Sequence, residues 1–163
     1  RADLHALLTA CDAESAADLR RAFCLGAYAG LRVSEAAALR WGDISREDRR
    51  IVVAGKGAKE RRVGLSPVLL DELLPEVAGN VVRAGGDAYS ADALQRRANR
   101  FMKRHGMDLT FHALRKRWAT LAIAKTGNVH AVAKAAGWAS IETANTYAAM
   151  SDETLDAIAA AVV

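Results

Sequence analysis

The sequence has little of what several protein classes require. Of its 163 residues, two are cysteine, two are proline and 6% are aromatic. Cys11 and Cys24 lie in separate alanine-rich stretches, so the chain can build neither a disulfide framework nor a thiolate metal site. No apolar run approaches the roughly eighteen residues that cross a bilayer, and the amino end shows no signal-peptide core. We therefore expect a reduced intracellular protein without a membrane partner.

What the chain does contain suits a globular protein with an acidic partner. Hydrophobic residues make up 52% and charged residues 26%, which is typical of one compact domain of this length. The formal charge is +4 and the pI about 9.3, and arginine carries most of the basic excess. Its planar fork binds phosphate oxygens in pairs, so the composition favours phosphate contacts.

Hydrophobic periodicity and capping residues predict a mainly α-helical α+β fold with a small three-stranded antiparallel sheet near residues 41–65. The strands are predicted at 43–44, 51–54 and 61–65, separated by charged turns. The glycine-containing stretch 78–87 is expected to be a loop. Helices are predicted at 3–10, 16–29, 33–39, 67–74, 91–105, 110–127 and 128–136, with further helix after Ser140 and around Leu155.

Tyr147 is the candidate nucleophile of the chain. A neutral phenol with a pKa of about 10 is a poor nucleophile, and a tyrosine near a helix is usually a packing residue. Attack on a phosphodiester becomes feasible when fixed donors hold the extra negative charge and another group protonates the departing oxygen. The function of Tyr147 therefore depends on the groups that the fold places around it.

Two arginines and a lysine fit those needs. Arg32 follows a predicted helix end and precedes an alanine-rich helix, where its guanidinium can face free backbone N–H groups; alternatively it pairs with Glu35 across one turn. Arg115 and Arg32 can each bind nonbridging phosphate oxygens. Lys56, on a glycine-rich hairpin tip, can donate a proton to a leaving alkoxide, or it is only a solvated charge.

His112 and Trp138 are further candidates. His112 lies three positions before Arg115 and projects from the same helix face, where it can donate a hydrogen bond or accept a proton. Trp138 can donate its indole N–H to a phosphate. A separate basic helix offers either a solvated or a phosphate-contacting face. Its cations are Arg96, Arg97, Arg100, Lys103 and Arg104.

Five ordered motifs resemble those of the tyrosine recombinase (phage integrase) family. The likeness extends over roughly residues 1 to 150, a whole catalytic domain. One such motif is weak evidence, whereas five in the right order are specific. The motifs are Gly30-Leu31-Arg32-Val33-Ser34-Glu35, Gly55-Lys56-Gly57 with Lys59-Glu60-Arg61, His112-Ala113-Leu114-Arg115, Gly137-Trp138, and Tyr147.

The resemblance implies a role for each candidate. Arg32 and Arg115 would bind the phosphate, Lys56 would be the general acid, and Tyr147 would form a 3′-phosphotyrosyl link and release a 5′-hydroxyl. His112 would be the histidine of the second box, and Trp138 a hydrogen-bond donor. No metal or cofactor is implied. Many relatives have histidine at the position of Trp138, so an N–H donor is retained there while acid–base capacity is lost. Lys116 also stands where a second histidine is frequent.

The same resemblance implies the partners. We expect double-stranded DNA at attachment or core sites, a homotetramer in the synaptic complex, a monomer as an isolated domain, and a directionality factor. The location would be the cytoplasm of a bacterial host, associated with the nucleoid. Residues 1–163 would be the catalytic domain, without the core-binding domain that usually precedes it. The tail after residue 148 would dock on a neighbouring subunit or pack on its own core.

Four functions remain open on the sequence. Site-specific strand exchange by a phage or mobile-element integrase is the leading hypothesis, and a Xer-like chromosome-dimer resolvase shares its motifs. A type IB topoisomerase would relax DNA with similar residues, and a noncatalytic helical domain would only track the backbone. A metal-dependent nuclease is disfavoured because the four histidines do not show H-E-x-x-H spacing.

Overall fold

The computed structural model describes residues 2–54, 60–74, 78–140 and 142. Lys56, Tyr147 and the tail after residue 148 lie outside these ranges. Within them the α-helices are α1 (Ala2–Ala13), α2 (Ala17–Ala29), α3 (Val33–Ala38), α4 (Pro67–Glu72), α5 (Ala91–Arg104), α6 (Phe111–Thr126) and α7 (Val129–Ala136). The strands are β1 (Ile44–Ser45), β2 (Arg50–Ala54), β3 (Glu60–Gly64), β4 (Arg83–Ala84) and β5 (Asp87–Ala88). A 3₁₀ turn covers Trp41–Asp43.

Helix α2 is the centre of the fold and packs against α1, α3, α4 and α6. Its Phe23 ring is fully buried, 6.1 Å from the ring of Phe101 in α5 and 6.3 Å from that of Phe111 in α6, measured between centroids. Aromatic pairs at such distances add to the free energy of area burial. A hydrophobic core thus joins α2 with α5 and α6.

Strands β1, β2 and β3 form the predicted three-stranded antiparallel sheet in sequential order. Ile51 pairs with Ile44 on one side and with Val63 on the other. Ile51, Val53 and Val63 are buried, while the alternate positions face outward. Since side chains alternate between faces along a strand, one face of the sheet covers the core. The mainly helical α+β prediction is confirmed.

The expectation of a plain loop at 78–87 was wrong in part. Strands β4 and β5 pair antiparallel at its carboxyl end and extend one residue beyond it, Arg83 with Ala88 and Ala84 with Asp87, around a Gly85-Gly86 turn. A two-residue glycine turn is a strong hairpin signal. The pattern was missed because strands of two residues are too short to show alternation.

Among the described helices none is long and apolar enough to cross a membrane.

Candidate functional site

Arg32 lies at the junction before α3, with extended backbone angles. Its backbone N–H donates to Oε2 of Glu35 at 2.7 Å, and its Nη1 donates to Oε1 at 2.8 Å. The expected one-turn pair therefore exists. Nη2 also donates to the carbonyl of Gly137 at 3.1 Å, and the side chain stays 42% exposed. The pair holds Arg32 in place without burying it.

Glu35 is the acceptor that gathers the arginines. Its side chain is 7% exposed, and Arg61 donates to both carboxylate oxygens at 2.8 Å. Nη1 of Arg115 lies 3.9 Å from Oε2. Burial by itself would raise the pKa of Glu35, but the hydrogen bonds from Arg61 and Arg32 outweigh it and lower the pKa to about 2. Glu35 is therefore ionised at neutral pH.

The carboxyl end of α7 supplies a second set of acceptors. The carbonyl of residue 135 accepts from Nε of Arg61 at 2.8 Å. The carbonyl of residue 136 accepts from Nη2 of Arg115 at 2.6 Å, and that of residue 137 from Nη2 of Arg32 at 3.1 Å. Carbonyls at a helix end lack intrahelical partners and carry the negative end of the helix dipole. The helix end and Glu35 together hold three arginines.

Gly30 contributes the acceptor on the opposite side. It caps α2 in the left-handed conformation, with φ +65°, and its carbonyl accepts from Nη1 of Arg115. A Cβ added to Gly30 would lie 2.3 Å from Cε3 of Trp118. Arg115 is only 3% exposed, held between Gly30 and the end of α7. The ends of α2 and α7 therefore fix Arg115 from two directions.

Trp138 and His112 complete the described candidates. The ring of Trp138 lies 5.8 Å from the Arg115 guanidinium carbon, within the range of a cation–π contact, and packs on a small apolar cluster with Ile123 and Val132. His112 is exposed in the first turn of α6, one turn before the buried Arg115. The structure thus brings Arg32, Arg115 and Trp138 together. It leaves His112 exposed on α6, the helix that also carries Arg115.

Three guanidinium groups surround one carboxylate, so the cluster of Arg32, Arg61, Arg115 and Glu35 carries a net positive charge; we call it the arginine cluster. Arg32 is its most exposed cation, and among the described residues its Nε has no acceptor. Arginine N–H groups held in a fixed orientation suit a phosphate, because they need no reorganisation when it binds. The cluster can therefore bind a phosphate at its Arg32 side.

Sequence reasoning missed Arg61 and treated Glu35 only as a partner of Arg32. A signal for Arg61 was present. Positions 61 and 63 share one face of β3, and Val63 faces the core. A charged side chain on the buried face of a strand needs an opposite charge nearby. The strand pattern therefore implied a buried partner for Arg61 but did not identify it.

Some cations of the basic helix α5 are paired with carboxylates of neighbouring elements. Arg97 donates to the Asp18 carboxylate at 2.7 Å, and Arg104 forms an ion pair with Glu14. Burial raises the pKa of Asp18, but hydrogen bonds from Arg97 and Tyr89 outweigh it, so the net shift is downward. Two of the five cations therefore fasten α5 to the region of α1 and α2.

In the described parts of the chain, no three His, Cys, Asp or Glu side chains gather as metal ligands would.

Gly30→Ala is expected to destabilise the fold by about 2 kcal/mol or more, because it combines a positive φ with a clash against Trp118. The free energy of urea unfolding measures this. Gly42→Ala is the matched control, since a Cβ there meets nothing within 4 Å and Gly42 has no positive φ. Equal effects of the two substitutions would contradict the packing of Gly30 against Trp118.

Glu35→Gln is expected to lower stability at neutral pH by an amount that shrinks in acid. The folded pKa of Glu35, about 2, lies below its ordinary value of 4.5. The ionised pairing therefore stabilises the fold above about pH 4.5, and this contribution of roughly 3 kcal/mol is lost as the pH falls towards 2. Urea unfolding of both proteins across this range measures it, with Glu47→Gln as control for loss of an exposed carboxylate. A constant difference between wild type and Glu35→Gln would contradict the shift.

Comparison with known proteins gives a family match. The sequence pattern of the phage integrase family matches residues 1–154. Tyrosine recombinase XerC of Herpetosiphon aurantiacus is 34% identical over 138 residues, covering 76% of this chain and 45% of that protein. TnP I resolvase of Bacillus thuringiensis is 30% identical over 130 residues, covering 74% of the chain and 46% of the resolvase. The chain thus spans less than half the length of these two relatives.

Solved structures share the fold. The XerA recombinase superposes with a TM-score of 0.76 at 20% identity, covering 97% of this chain and 60% of that one. The XerH site-specific recombinase bound to its difH substrate gives a TM-score of 0.73 at 25% identity, covering 98% and 52%. A lambda integrase dimer bound to a COC′ core site gives 0.71 at 22% identity, covering 88% and 45%.

Proposed function

The chain belongs to the phage integrase family, and from that premise we propose that it is the catalytic domain of a site-specific DNA recombinase. The reaction cuts and rejoins DNA through a 3′-phosphotyrosyl intermediate without a metal ion. Residues 1–163 form the catalytic domain, whose tail after residue 148 either docks on a neighbouring subunit or packs on its own core. A core-binding domain completes the grip on DNA.

The observation that carries the proposal is the arginine cluster. Motifs separated by as many as 105 positions meet at the end of α7, where Arg32 and Arg115 are fixed by carbonyls and by Glu35. A noncatalytic domain that tracks the DNA backbone needs flexible surface cations and has no use for a buried arginine with two carbonyl acceptors. A rigid positive site is what a phosphoryl transition state requires.

In the proposed reaction, Oη of Tyr147 attacks the scissile phosphorus. The new Tyr147–phosphate bond forms as the bond to the 5′ oxygen breaks, and Lys56 gives that oxygen a proton. Arg32 and Arg115 hold the nonbridging oxygens, whose negative charge grows in the transition state. His112 accepts the phenolic proton or donates to the phosphate, and the Trp138 indole N–H adds one donor. Attack by a 5′-hydroxyl reverses the step and rejoins the strand.

The partner we propose is double-stranded DNA. XerH was solved bound to its difH substrate and lambda integrase as a dimer on a core site, and their shared fold supports a similar docking of this chain. We further propose a homotetramer at synapsis, a monomer for the domain alone, a directionality factor, and a site of action at the bacterial nucleoid.

A Xer-like resolvase is the second candidate function. The Herpetosiphon relative is a tyrosine recombinase XerC, at 34% identity, and the Bacillus thuringiensis relative is a resolvase, at 30% identity. Two substrates distinguish the functions. The first is one plasmid that carries two sites in direct repeat, and the second is a pair of plasmids that carry one site each. Excision of the first substrate alone supports the resolvase, and joining of the two plasmids supports the integrase.

Covalent capture tests the proposal. The full-length gene product is incubated with fragments of its host's genomic DNA and a chelator. The protein is then denatured with detergent, and the DNA that remains attached to it is sequenced. A nicked duplex built on the recovered sequence should then trap a protein joined to a 3′ phosphate, because the short 5′ product diffuses away. A 5′-phosphate linkage, or complete loss of the product when the chelator is added, would contradict the proposed chemistry.

Lys56→Ala is expected to slow cleavage by roughly 100-fold or more, because the leaving alkoxide then lacks its acid. A duplex with sulfur at the 5′-bridging position should restore most of the rate, since a thiolate leaves without a proton. Lys125→Ala, which removes a lysine from the last turn of α6, should cleave both duplexes like wild type. A Lys56→Ala defect that is equal on both duplexes would assign the lysine another role.

A further inference from the structure

Arg61 is a buried arginine that the proposed mechanism does not use. It lies on β3, its side chain is 11% exposed, and all three of its nitrogens donate to protein acceptors. Nη1 and Nη2 donate to the two oxygens of Glu35, and Nε donates to the carbonyl of Ala135, each at 2.8 Å. Arg61 therefore joins the sheet, α3 and the end of α7.

Arg61 and Arg32 differ in exposure and in the number of their N–H groups that protein acceptors occupy. Arg32 donates through two nitrogens and is 42% exposed, so it can turn an N–H group towards a bound phosphate. Arg61 is enclosed and its fork is filled by Glu35. Because two parallel N–H···O bonds fix a carboxylate in one plane, Arg61 sets the orientation of the group that in turn holds Arg32.

Gly137 shows how closely Arg61 fits beneath the turn that follows α7. The residue has φ +65°, and a Cβ there would lie 3.0 Å from Cδ of Arg61. The carbonyl of the same glycine accepts from Arg32, and Trp138 comes next in the chain. The Arg61 side chain therefore supports the turn from which both an Arg32 contact and the Trp138 ring project.

We propose that Arg61 is a positioning residue for the phosphate site: by clamping Glu35 and the end of α7, it aims Arg32 and Trp138 at one phosphate. This inference rests on the proposed recombinase function. Strand β3 begins immediately after the segment 55–59, which contains Lys56, the proposed general acid. Because Arg61 lies on β3, its contacts also join this strand to the arginine cluster.

The first test measures cleavage by the full-length protein. Arg61→Gln should lower the single-turnover rate at saturating DNA by roughly 10- to 100-fold, since misplacing a catalytic group by about 1 Å has effects of that size. The dissociation constant for DNA should stay within about threefold, because many other phosphate contacts remain. Arg61→Lys, which keeps the charge without the fork, should recover part of the rate.

Arg62→Gln is the matched control, the same change at the next position of β3, where the side chain is exposed. It should cleave saturating DNA at the wild-type rate. The inference is overturned by an Arg61→Gln rate equal to wild type, by an equal loss in Arg62→Gln, or by a DNA affinity that falls in step with the rate, which would make Arg61 a binding residue.

A second test needs no DNA chemistry and separates failure of this inference from failure of the proposed function. Arginine side-chain NMR signals are followed while inorganic phosphate is added. The Arg32 signal should shift with phosphate in wild type and Arg62→Gln, and at least threefold more phosphate should be needed in Arg61→Gln. Equal titrations overturn the positioning role, whatever the DNA assay shows. If Arg61→Gln does not fold, Arg61→Lys replaces it in both tests.

Discussion

Tyr147→Phe is expected to form no covalent protein–DNA complex at all. The substitution removes one oxygen, and that oxygen is the atom that the proposed intermediate bonds to phosphorus. Binding of the nicked duplex should persist, because the cations that contact phosphates remain. Denaturing electrophoresis of the trapped complex and a band-shift assay measure the two properties separately.

The two other tyrosines of the chain supply matched controls. Tyr89→Phe removes a hydroxyl that donates to Asp18 at 2.6 Å, so it should lower the unfolding free energy by about 1 kcal/mol and leave the covalent band intact. Tyr28→Phe should also leave the band intact. A band that survives in Tyr147→Phe and disappears in either control would move the nucleophile to another tyrosine.

Arg32→Ala is expected to lower the cleavage rate by roughly 100- to 1,000-fold, the usual effect of removing one preorganised donor from a charged transition state. Arg32 is the most exposed cation of the arginine cluster, and Glu35 and the end of α7 already hold it. Arg32→Lys should recover little of the rate, because an ammonium group cannot reproduce the planar fork. Single-turnover cleavage of the nicked duplex measures both variants.

Arg46→Ala is the control for Arg32→Ala. It removes an exposed arginine whose Nη2 donates to the carbonyl of Leu70, away from the arginine cluster. Its cleavage rate at saturating DNA should match that of wild type. A comparable loss in both variants would mean that general positive charge, and not a fixed donor, promotes cleavage.

Much of the helical fold follows from the sequence because its signals are local. The side chains of Ser66, Ser90, Thr110 and Asn128 each accept from a backbone N–H three positions later, which is how a helix start is recognised. Gly127 ends α6 in the left-handed conformation. Such caps act within one turn, so their positions can be predicted without knowledge of the rest of the chain.

Contacts between distant segments could not be predicted in the same way. The sequence pairs Arg32 with Glu35 because they are three positions apart, yet Glu35 also accepts two bonds from Arg61, 26 positions away. Arg115 and His112 share a helix face in sequence, but packing buries the first and exposes the second. A helical spacing gives direction relative to the axis, and only the packed neighbours decide which side chains water can reach.

The sequence alone shows which chemical groups are present and in what order: arginines beside predicted helix ends, a lysine in a glycine-rich segment and a tyrosine late in the chain. The tertiary structure alone decided that the ends of α2 and α7 meet around Glu35, so that their carbonyls and one buried carboxylate fix Arg32, Arg61 and Arg115. Like charges repel, so three guanidinium groups stay together only where acceptors from distant parts of the chain converge on them.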